Sequence, residues 1–345
     1  MISSFSLVII GISFIILLTI FLLSYWFNGP KTSLSKNLRG KIILITGGLK
    51  GIGFEVTKEL LNKNAKVIIL SKDKKNSMKK INSINLNNKI IRCFFHEVDL
   101  RNYNSIINFV KEFKENIGFV DILINNAGSV FYDFNLINGI EETLLNNFIG
   151  HLILTSLLID CFNPKGIIIN LTSSNYKLIS KNNLFNFIAT NNLNFEKTKE
   201  NYNWCEIYNI SQLCNIYNTI YLKDYIIKNG LEIKIISIHP GFINNDFYQN
   251  IIKNSWYFWF INIILFPIKI LFFKSNFMGA QTILNCCFID YEDLINGGYY
   301  KDCHSEKLEN IANLIYAKKI LEFTHNIIVR NNFVNNDLNV LKIFT

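Results

Sequence analysis

A glycine-rich turn constrains this chain more than any other feature. The apolar run 41–45 leads into Thr46, glycines follow at positions 47, 51 and 53, and an amphipathic stretch covers 54–62. This order is typical of a strand, a tight turn and a helix. Glycines let the backbone approach a pyrophosphate closely, and the N-terminus of the helix points free N–H groups and partial positive charge at it. The segment 46–53, called the glycine turn below, therefore predicts a nucleotide-binding site.

Strand-like and helix-like segments alternate along the rest of the chain. The predicted strands cover 41–45, 66–70, 90–95, 120–124, 166–171 and 233–238. The predicted helices lie near 52–63, 103–116, 140–162, 206–228 and 277–288. Such alternation indicates a parallel sheet with helices on both faces. Right-handed crossovers and short loops then give a doubly wound α/β fold, with no second domain and no internal repeat.

An uncharged apolar segment from Phe5 to Phe27 predicts one transmembrane helix. At the helical rise it would be about 34 Å long, and the hydrocarbon core of a bilayer is about 30 Å thick. A cleaved signal peptide is the alternative, but the apolar run is too long and no Lys or Arg precedes it. Basic residues follow directly, so the positive-inside rule places the remaining chain in the cytosol. We expect a membrane anchor at 5–27 and a basic linker at 28–39.

The composition of the 345 residues excludes several classes of protein. The seven cysteines are scattered without a C-x-x-C pair, which argues against a disulfide framework and against a zinc site, so we expect no metal. The formal net charge is +9. No basic helix or aromatic RNA-binding motif accompanies this charge, so we do not expect a nucleic-acid partner. A basic surface would suit anionic lipid headgroups or a phosphorylated cofactor.

Further motifs extend the pattern of the glycine turn. Its glycines are spaced T-G-x-x-x-G-x-G, the run Asn125 to Gly128 reads N-N-A-G, and the run Asn147 to His151 has the form N-x-x-G-H. Together these elements resemble the short-chain dehydrogenase/reductase family. The resemblance implies a Rossmann domain with a mainly parallel seven-stranded sheet, which we place at 40–325, with a C-terminal tail at 326–345. It also implies hydride transfer between a nicotinamide cofactor and an alcohol or carbonyl carbon.

The resemblance assigns cofactor contacts to the carboxyl ends of the predicted strands. NAD-specific Rossmann proteins usually carry an acidic residue at the end of the second strand. Here Ser71 and Lys72 stand there, and Lys50 lies inside the glycine turn. Two lysines near the ribose suit a 2′-phosphate, although ordinary surface lysines are the alternative, so we expect NADP(H) rather than NAD(H). The expected cofactor-binding residues are Thr46, Gly47, Lys50, Gly51, Ile52, Gly53, Ser71, Lys72, Asp99, Leu100, Asn126, Ala127, Gly128, Pro240 and Gly241.

The same resemblance implies four catalytic positions. Tyr208 would be the acid/base, and Ser173 would bind the substrate oxygen, with Ser174 as the near alternative. Asn147 would hold a water against the family's Lys, which binds the nicotinamide ribose and lowers the Tyr pKa. Gln212 stands where that Lys would be. A neutral amide can donate to ribose hydroxyls but cannot favour a tyrosinate by charge, so we expect turnover slowed by roughly two to four orders of magnitude.

Other motifs indicate a branch of the family. The run 237–241 resembles a V-H-P-G element, and segments 279–282 and 297–303 resemble elements of membrane-anchored microsomal retinol dehydrogenases. We therefore expect a single-pass protein of the endoplasmic reticulum membrane with its catalytic domain in the cytosol. Tyr208 follows Ser173 by 35 residues, a longer gap than in most short-chain enzymes, which indicates an inserted loop.

A long apolar segment at 256–273 is interrupted by Asn262, Pro267 and Lys269. We expect a lid helix that covers the substrate pocket and dips into the bilayer interface; a buried pair of core helices is the alternative. Such a lid suits a lipid-soluble substrate, and retinoids, sterols, fatty aldehydes and acyl-dihydroxyacetone phosphate all meet that description. The leading hypothesis is an NADP(H)-dependent oxidoreductase acting on a hydrophobic alcohol, aldehyde or ketone. The alternative is a catalytically impaired NADP(H)-binding sensor or scaffold protein, because of Gln212.

Overall fold

The computed structural model describes residues 11–15, 18–19, 21–23, 28–86, 91–191, 199–200, 202–243 and 273–333. Strands and helices alternate through these residues. The strands are β1 (Ile42–Thr46), β2 (Lys66–Ser71), β3 (Cys93–Glu97), β4 (Val120–Asn125), β5 (Leu136–Ile137), β6 (Ile140–Glu141), β7 (Phe162–Leu171), β8 (Ile233–His239), β9 (Tyr299–Lys301) and β10 (His304–Glu306). The helices are α1 (Gly51–Asn62), α2 (Lys74–Leu86), α3 (Tyr103–Asn116), α4 (Glu142–Leu144, continued by Leu145–Ile149 and Gly150–Leu158), α5 (Lys181–Asn191), α6 (Trp204–Lys228), α7 (Asn276–Phe288) and α8 (Leu314–Arg330).

The main sheet has the strand order β10-β9-β8-β7-β4-β1-β2-β3. Strand β1 pairs in parallel with both β2 and β4, which places Leu44 opposite Ile68 on one side and Leu123 on the other. The chain runs outward from β1 to β3 and then returns to β4 on the far side of β1. The strand order therefore reverses between β1 and β4, and in open α/β sheets ligands bind in the crevice at the carboxyl ends of the strands at such a point.

Both faces of the sheet are buried under helices. In β1, Leu44 belongs to the apolar cluster that includes Ile106 of α3 and Leu152 of α4, whereas Ile43 belongs to the opposite cluster with Val56 of α1. Strands buried on both faces read as continuous apolar runs rather than alternating ones. The doubly wound Rossmann-like fold, the six predicted strands and the five predicted helices are thereby confirmed, with small shifts at their ends.

The predicted count of seven strands in the sheet is wrong, because the sheet has eight. The additional strand, β10, runs antiparallel to β9, with His304 opposite Lys301. The two residues between them, Asp302 and Cys303, both have positive φ, at 50° and 63°. Two consecutive positive φ values are the geometry of a tight hairpin turn that matches the twist of the strands. Neither residue is a glycine, so the sequence lacks the usual signal for such a turn.

Three helices, α2, α5 and α8, were not predicted from the sequence. In α2 and α5 the residues are rich in Asn and Lys, so the apolar periodicity of a helix is weak there. Helix α8 packs against α6 and continues to Arg330, into the first residues of the predicted tail.

The predicted anchor at 5–27 lies only partly within the described residues. Of these, 11–15, 18–19 and 21–23 are helical and exposed. One helix in the described part of the chain is long and apolar enough to cross a membrane, Glu142–Cys161, and 94% of its apolar window is buried inside the protein. That helix therefore packs as a core element of the domain. The predicted lid at 256–273 falls outside the described residues except for Phe273.

The predicted linker packs closely against the domain. The backbone N–H of Thr32 donates to Gln281 Oε1 at 3.2 Å, and its hydroxyl donates to Asn285 Oδ1 at 2.8 Å, both on α7. Further along, Lys36 pairs with Asp290 at 2.8 Å. The segment that joins the predicted anchor to the sheet thus has a defined path over α7.

Candidate functional site

A cavity of about 600 Å³ opens at the carboxyl ends of the central strands. Its lining includes all four predicted catalytic positions and every predicted cofactor-binding residue except Thr46. The structure thus brings into one crevice residues that the sequence spreads from the glycine turn to Gly241.

The glycine turn has the backbone geometry that its glycines predict. Gly47 and Gly51 have φ of 67° and 52°, values that residues with a Cβ rarely adopt. A Cβ on Gly53 would lie 2.5 Å from the carbonyl oxygen of Gly47 and 2.6 Å from Asn126 Nδ2, so only glycine fits there without movement. Helix α1 begins at Gly51, and its first N–H groups face the cavity end of the turn.

Thr46 does not line the cavity but stabilises the glycine turn through hydrogen bonds. Only 1% of it is exposed, and its hydroxyl oxygen accepts the backbone N–H groups of Asn126 and Ala127, each at 2.9 Å. The ring of His151 lies 2.9 Å from the same hydroxyl. Asn126 returns the contact by donating from Nδ2 to the Thr46 carbonyl oxygen at 2.8 Å. Thr46 therefore fastens the N-N-A-G turn to the glycine turn.

Lysines gather at one end of the cavity. Lys50 stands at the N-terminus of α1, and its Nζ lies 3.9 Å from the carboxylate of Asp73. Hydrogen bonds from Asn76, together with nearby Lys50, lower the pKa of Asp73, which is therefore ionised at neutral pH. Lys80 donates to the carbonyl oxygen of Leu49 at 2.9 Å. Sequence reasoning missed Asp73, Asn76 and Lys80, all of which line the cavity, because α2 was not predicted.

Asp99 is held by an arginine that the sequence did not single out. Arg101 donates from Nε to one carboxylate oxygen at 3.0 Å and from Nη2 to the other at 2.7 Å, and it also pairs with Glu142. Burial opposes the ionisation of Asp99, but these hydrogen bonds outweigh it and lower its pKa. Its position two residues after Asp99 is the feature of the sequence that could have identified Arg101 as a site residue.

Asn147 lies in a π-helical turn of α4, Leu145–Ile149, where the helix is locally widened. Its side chain makes four hydrogen bonds. It accepts from the N–H of Ser129 at 2.9 Å and from Asn146 Nδ2 at 2.9 Å, and it donates to the Ser129 carbonyl oxygen at 2.9 Å and to Ser211 Oγ at 3.2 Å. Asn147 therefore connects the loop after β4 to helix α6.

Ser211 lies buried behind the catalytic end of the cavity, and sequence reasoning missed it as a supporting residue of the site. Its hydroxyl accepts from Asn147 Nδ2 and, at 3.3 Å, from Gln212 Nε2, and it donates to the carbonyl oxygen of Tyr208 at 2.7 Å. Gln212 is 6% exposed and lines the cavity. Among the described residues, the lysines that line the cavity are Lys50 of the glycine turn, Lys72 after β2 and Lys80 of α2. Gln212 brings no charge to the catalytic end. The signal for Ser211 was the Y-x-x-S pattern itself.

The structure distinguishes the two candidate serines. Ser173 lines the cavity, and its hydroxyl accepts the N–H of Asn175 at 3.3 Å. Ser174 is absent from the lining, and its N–H donates to His239 Nδ1 at 3.2 Å. The preceding residue, Thr172, donates to the carbonyl oxygen of Gln212 at 2.7 Å. This bond fixes the end of β7, and with it Ser173, against helix α6.

These residues fit a nicotinamide dinucleotide. A Cβ on Gly51 or Gly128 would make only ordinary van der Waals contact with the protein, with no neighbour closer than 3.7 Å. The cavity places glycines and a helix N-terminus where a pyrophosphate would bind. Hydroxyl and amide groups line its other end. In the described part of the chain, no group of His, Cys, Asp and Glu is arranged to hold a metal ion.

Comparison with known proteins identifies relatives. The profile of the short chain dehydrogenase family matches residues 41–183. Human retinol dehydrogenase 11 is 28% identical over 77% of this chain and 79% of its own length. The chloroplastic short-chain dehydrogenase TIC 32 A of Brassica napus is 29% identical over 81% of this chain and 86% of its own length.

A solved structure supports the fold. L-Sorbose reductase from Gluconobacter frateurii, complexed with NADPH and L-sorbose, superposes with a TM-score of 0.58 and 18% identity, covering 78% of this chain and 96% of that chain. The glycine turn, the N-N-A-G turn and the crevice between β1 and β4 lie within this shared Rossmann-like architecture. The family profile, these relatives and the shared fold together support an oxidoreductase of the short-chain dehydrogenase/reductase family, similar to its retinol dehydrogenase-like members, and that family uses a nicotinamide cofactor.

Proposed function

We propose that this protein is an NADP(H)-dependent oxidoreductase that interconverts a hydrophobic alcohol and its aldehyde or ketone. The observation that carries the proposal is the shared cavity, in which Ser173, Tyr208 and the Asn147 network line the same space as the glycine turn. Bound NADP(H) supplies or accepts the hydride. The protein must then position the substrate oxygen and move a proton to or from it.

Each polar residue at the catalytic end has a role in this proposal. Ser173 donates a hydrogen bond to the substrate oxygen, and the Tyr208 hydroxyl gives up or takes the proton. Ser211 and Asn147 are positioning residues, because their hydrogen bonds tie the Tyr208 turn of α6 to the π-helical turn of α4. Gln212 lines the cavity and can donate to a ribose hydroxyl.

The lysines favour NADP(H) over NAD(H). Lys50, Lys72 and Lys80 all line the cavity around the carboxyl end of β2. A ribose 2′-phosphate would meet them there and gain charge-assisted hydrogen bonds. Asp73 stands at the same end, but its carboxylate already accepts from Asn76 at 2.8 Å and lies beside Lys50, so these groups offset its charge toward a phosphate.

Two features support a lipid-soluble substrate and a membrane location. The described residues of the predicted anchor are helical and expose large apolar side chains, with Phe14 at 65% and Phe21 at 66% exposed. The linker then follows a fixed path over α7 through Thr32. We propose a single-pass protein of the endoplasmic reticulum membrane with its domain on the cytosolic side.

A second function is favoured by one observation, the neutral Gln212 one helical turn after Tyr208. Because an amide gives the acid/base no help by charge, the protein could bind NADP(H) and serve as a sensor or scaffold with little turnover. Full-length protein in detergent micelles distinguishes the two functions. Binding of NADPH followed by oxidation of NADPH on addition of a long-chain aldehyde supports the oxidoreductase. Binding without turnover across retinoid, sterol and fatty aldehydes supports the sensor.

The choice of cofactor is tested in the same preparation. A Lys50→Ala, Lys72→Ala double variant should weaken NADPH binding by about tenfold or more and leave NADH binding nearly unchanged, because only NADPH carries the 2′-phosphate. Lys111→Ala, on the exposed face of α3, is the control. Equal losses for the two nucleotides would overturn the assignment to NADP(H).

A further inference from the structure

The inserted segment between Ser173 and Tyr208 folds onto the domain at its N-terminal side. Helix α5 places the ring of Phe187 5.8 Å from that of Phe323 on α8, and Phe187 is only 8% exposed. The ring of Phe185 lies 5.3 Å from that of Tyr316 on the same helix. The insertion therefore begins as a packed element rather than as a surface loop.

The insertion is fastened again where it ends, at Tyr202. The hydroxyl of Tyr202 lies 3.0 Å from the carbonyl oxygen of Phe131 and 3.0 Å from Glu141 Oε1. Glu141 is completely buried, and burial raises its pKa. The Tyr202 hydroxyl can donate to either acceptor, the Phe131 carbonyl oxygen or Glu141 Oε1. The ring of Phe134 packs edge-on against Tyr202 at 5.5 Å. Tyr202 thus fixes the loop that follows the N-N-A-G turn.

This fixed loop carries Tyr132, which lines the cavity. The ring of Tyr132 meets the ring of Trp204 edge-on, with centroids 5.2 Å apart and planes at 71°. Trp204 begins α6, one helical turn before Tyr208. Because side chains on a helix lean toward its N-terminus, the Tyr208 ring extends over the turn that Trp204 begins. Tyr132 is therefore an aromatic residue of the cavity wall, on the side of the proposed acid/base.

We propose that Tyr132 is a substrate-binding residue that packs against the extended apolar chain of the substrate, beyond the carbons next to the reacting centre, and that the insertion positions it through Tyr202 and Trp204. The ligand class is an alcohol or carbonyl compound with an extended apolar chain. This inference rests on the proposed function and deepens it. Tyr132 contacts the substrate in this account, whereas Tyr202 and Trp204 act through Tyr132.

The test compares aldehyde substrates of different chain length. The full-length protein is assayed with NADPH and hexanal, decanal or tetradecanal, and KM and kcat are measured separately. Tyr132→Ala should raise KM for the two longer aldehydes by roughly tenfold, equivalent to about 1.4 kcal/mol of binding, with a smaller rise for hexanal. Tyr202→Phe should give the same pattern in weaker form. Trp204→Phe, which keeps an aromatic ring, should restore most of what Trp204→Ala loses.

Tyr291→Ala is the matched control, because the Tyr291 ring contacts Lys234, outside the lining of the cavity and away from the insertion. A KM rise in Tyr132→Ala that is equal for all three aldehydes, or one that Tyr291→Ala reproduces, would overturn the inference. If the wild-type protein oxidised no NADPH, the proposed function would fail. The inference would then be judged from Kd values for the corresponding alcohols, measured by quenching of tryptophan fluorescence, and the same dependence on chain length is expected.

Discussion

At the scale of single residues, the catalytic end of the cavity is organised by amide and hydroxyl groups. Ser211 bridges Asn147 and Gln212, so a neutral hydrogen-bonded network stands where the family places a cation. This network holds Tyr208 in place through its carbonyl oxygen. In the proposed mechanism this network would preserve the positioning of Tyr208, while the neutral Gln212 would give proton transfer less electrostatic assistance.

Replacing Gln212 with Lys should therefore increase kcat. A cation at this position favours the tyrosinate, and the gain should reach two to four orders of magnitude, roughly the scale of acid/base assistance. Initial rates of NADPH oxidation measure it. Gln212→Met separates charge from shape and should give no gain. An unchanged rate in Gln212→Lys would show that the neutral residue does not limit turnover.

Two glycines of the site should respond differently to alanine. In Gly53→Ala the new Cβ would meet Gly47 and Asn126 at 2.6 Å or less, which should cost about 1–3 kcal/mol of stability. In Gly128→Ala the nearest atom would be Asn147 Oδ1 at 3.8 Å, so stability should persist while NADPH affinity falls. Thermal midpoints and nucleotide titrations of both variants test this. A stable Gly53→Ala protein would contradict the close packing of the two turns.

At the scale of elements, two buried histidines lie near the ends of the strands: His151 of α4 beside Thr46 of β1, and His239 at the end of β8 beside Ser174. Burial lowers the pKa of His151 to about 4, and burial together with nearby Lys301 lowers that of His239 to about 4. Both rings are therefore neutral in the folded protein at neutral pH. In the unfolded chain each would take up a proton below its ordinary pKa of 6.5.

Acid should therefore destabilise the fold. Between about pH 6.5 and about pH 4 the unfolded state binds protons that the folded state does not, so the free energy of unfolding decreases as the pH falls. Each histidine should contribute about 2 kcal/mol to the loss between about pH 7 and about pH 5. Denaturant titrations at the two pH values measure it. His151→Gln should make the free energy of unfolding depend less on pH, whereas His304→Gln, on an exposed hairpin, should leave that dependence unchanged. A wild-type free energy of unfolding that does not change over this range would contradict the buried neutral rings.

The elements also show which parts of the fold can be predicted from a sequence. β1 and β4 were predictable because strands buried on both faces are continuous apolar runs. Helix α5 was not predictable, because its Asn-rich sequence is stabilised by tertiary contacts such as that of Phe187 with Phe323. The β9–β10 turn was not predictable either, because Asp302 has a positive φ but is not a glycine.

At the scale of the whole molecule, the order of the strands in the sheet brings the residues of the site together. Motifs could be recognised one by one, since each follows a strand of the parallel sheet or lies on a helix beside it, but their meeting depends on the order reversal between β1 and β4. Contacts made by residues outside any motif, such as Arg101 with Glu142 and Tyr202 with Phe131, could not be predicted. They depend on loop paths that local sequence does not specify.

The central claim, that this cavity transfers hydride with Tyr208 as the acid/base, is tested most directly by one comparison. NADPH oxidation by the full-length protein is measured with decanal for wild type and Tyr208→Phe, with NADPH affinity measured in parallel. We predict that kcat falls by at least about a hundredfold and that the Kd for NADPH changes by less than about threefold, because the ring is kept. Equal rates in the two proteins would contradict the account.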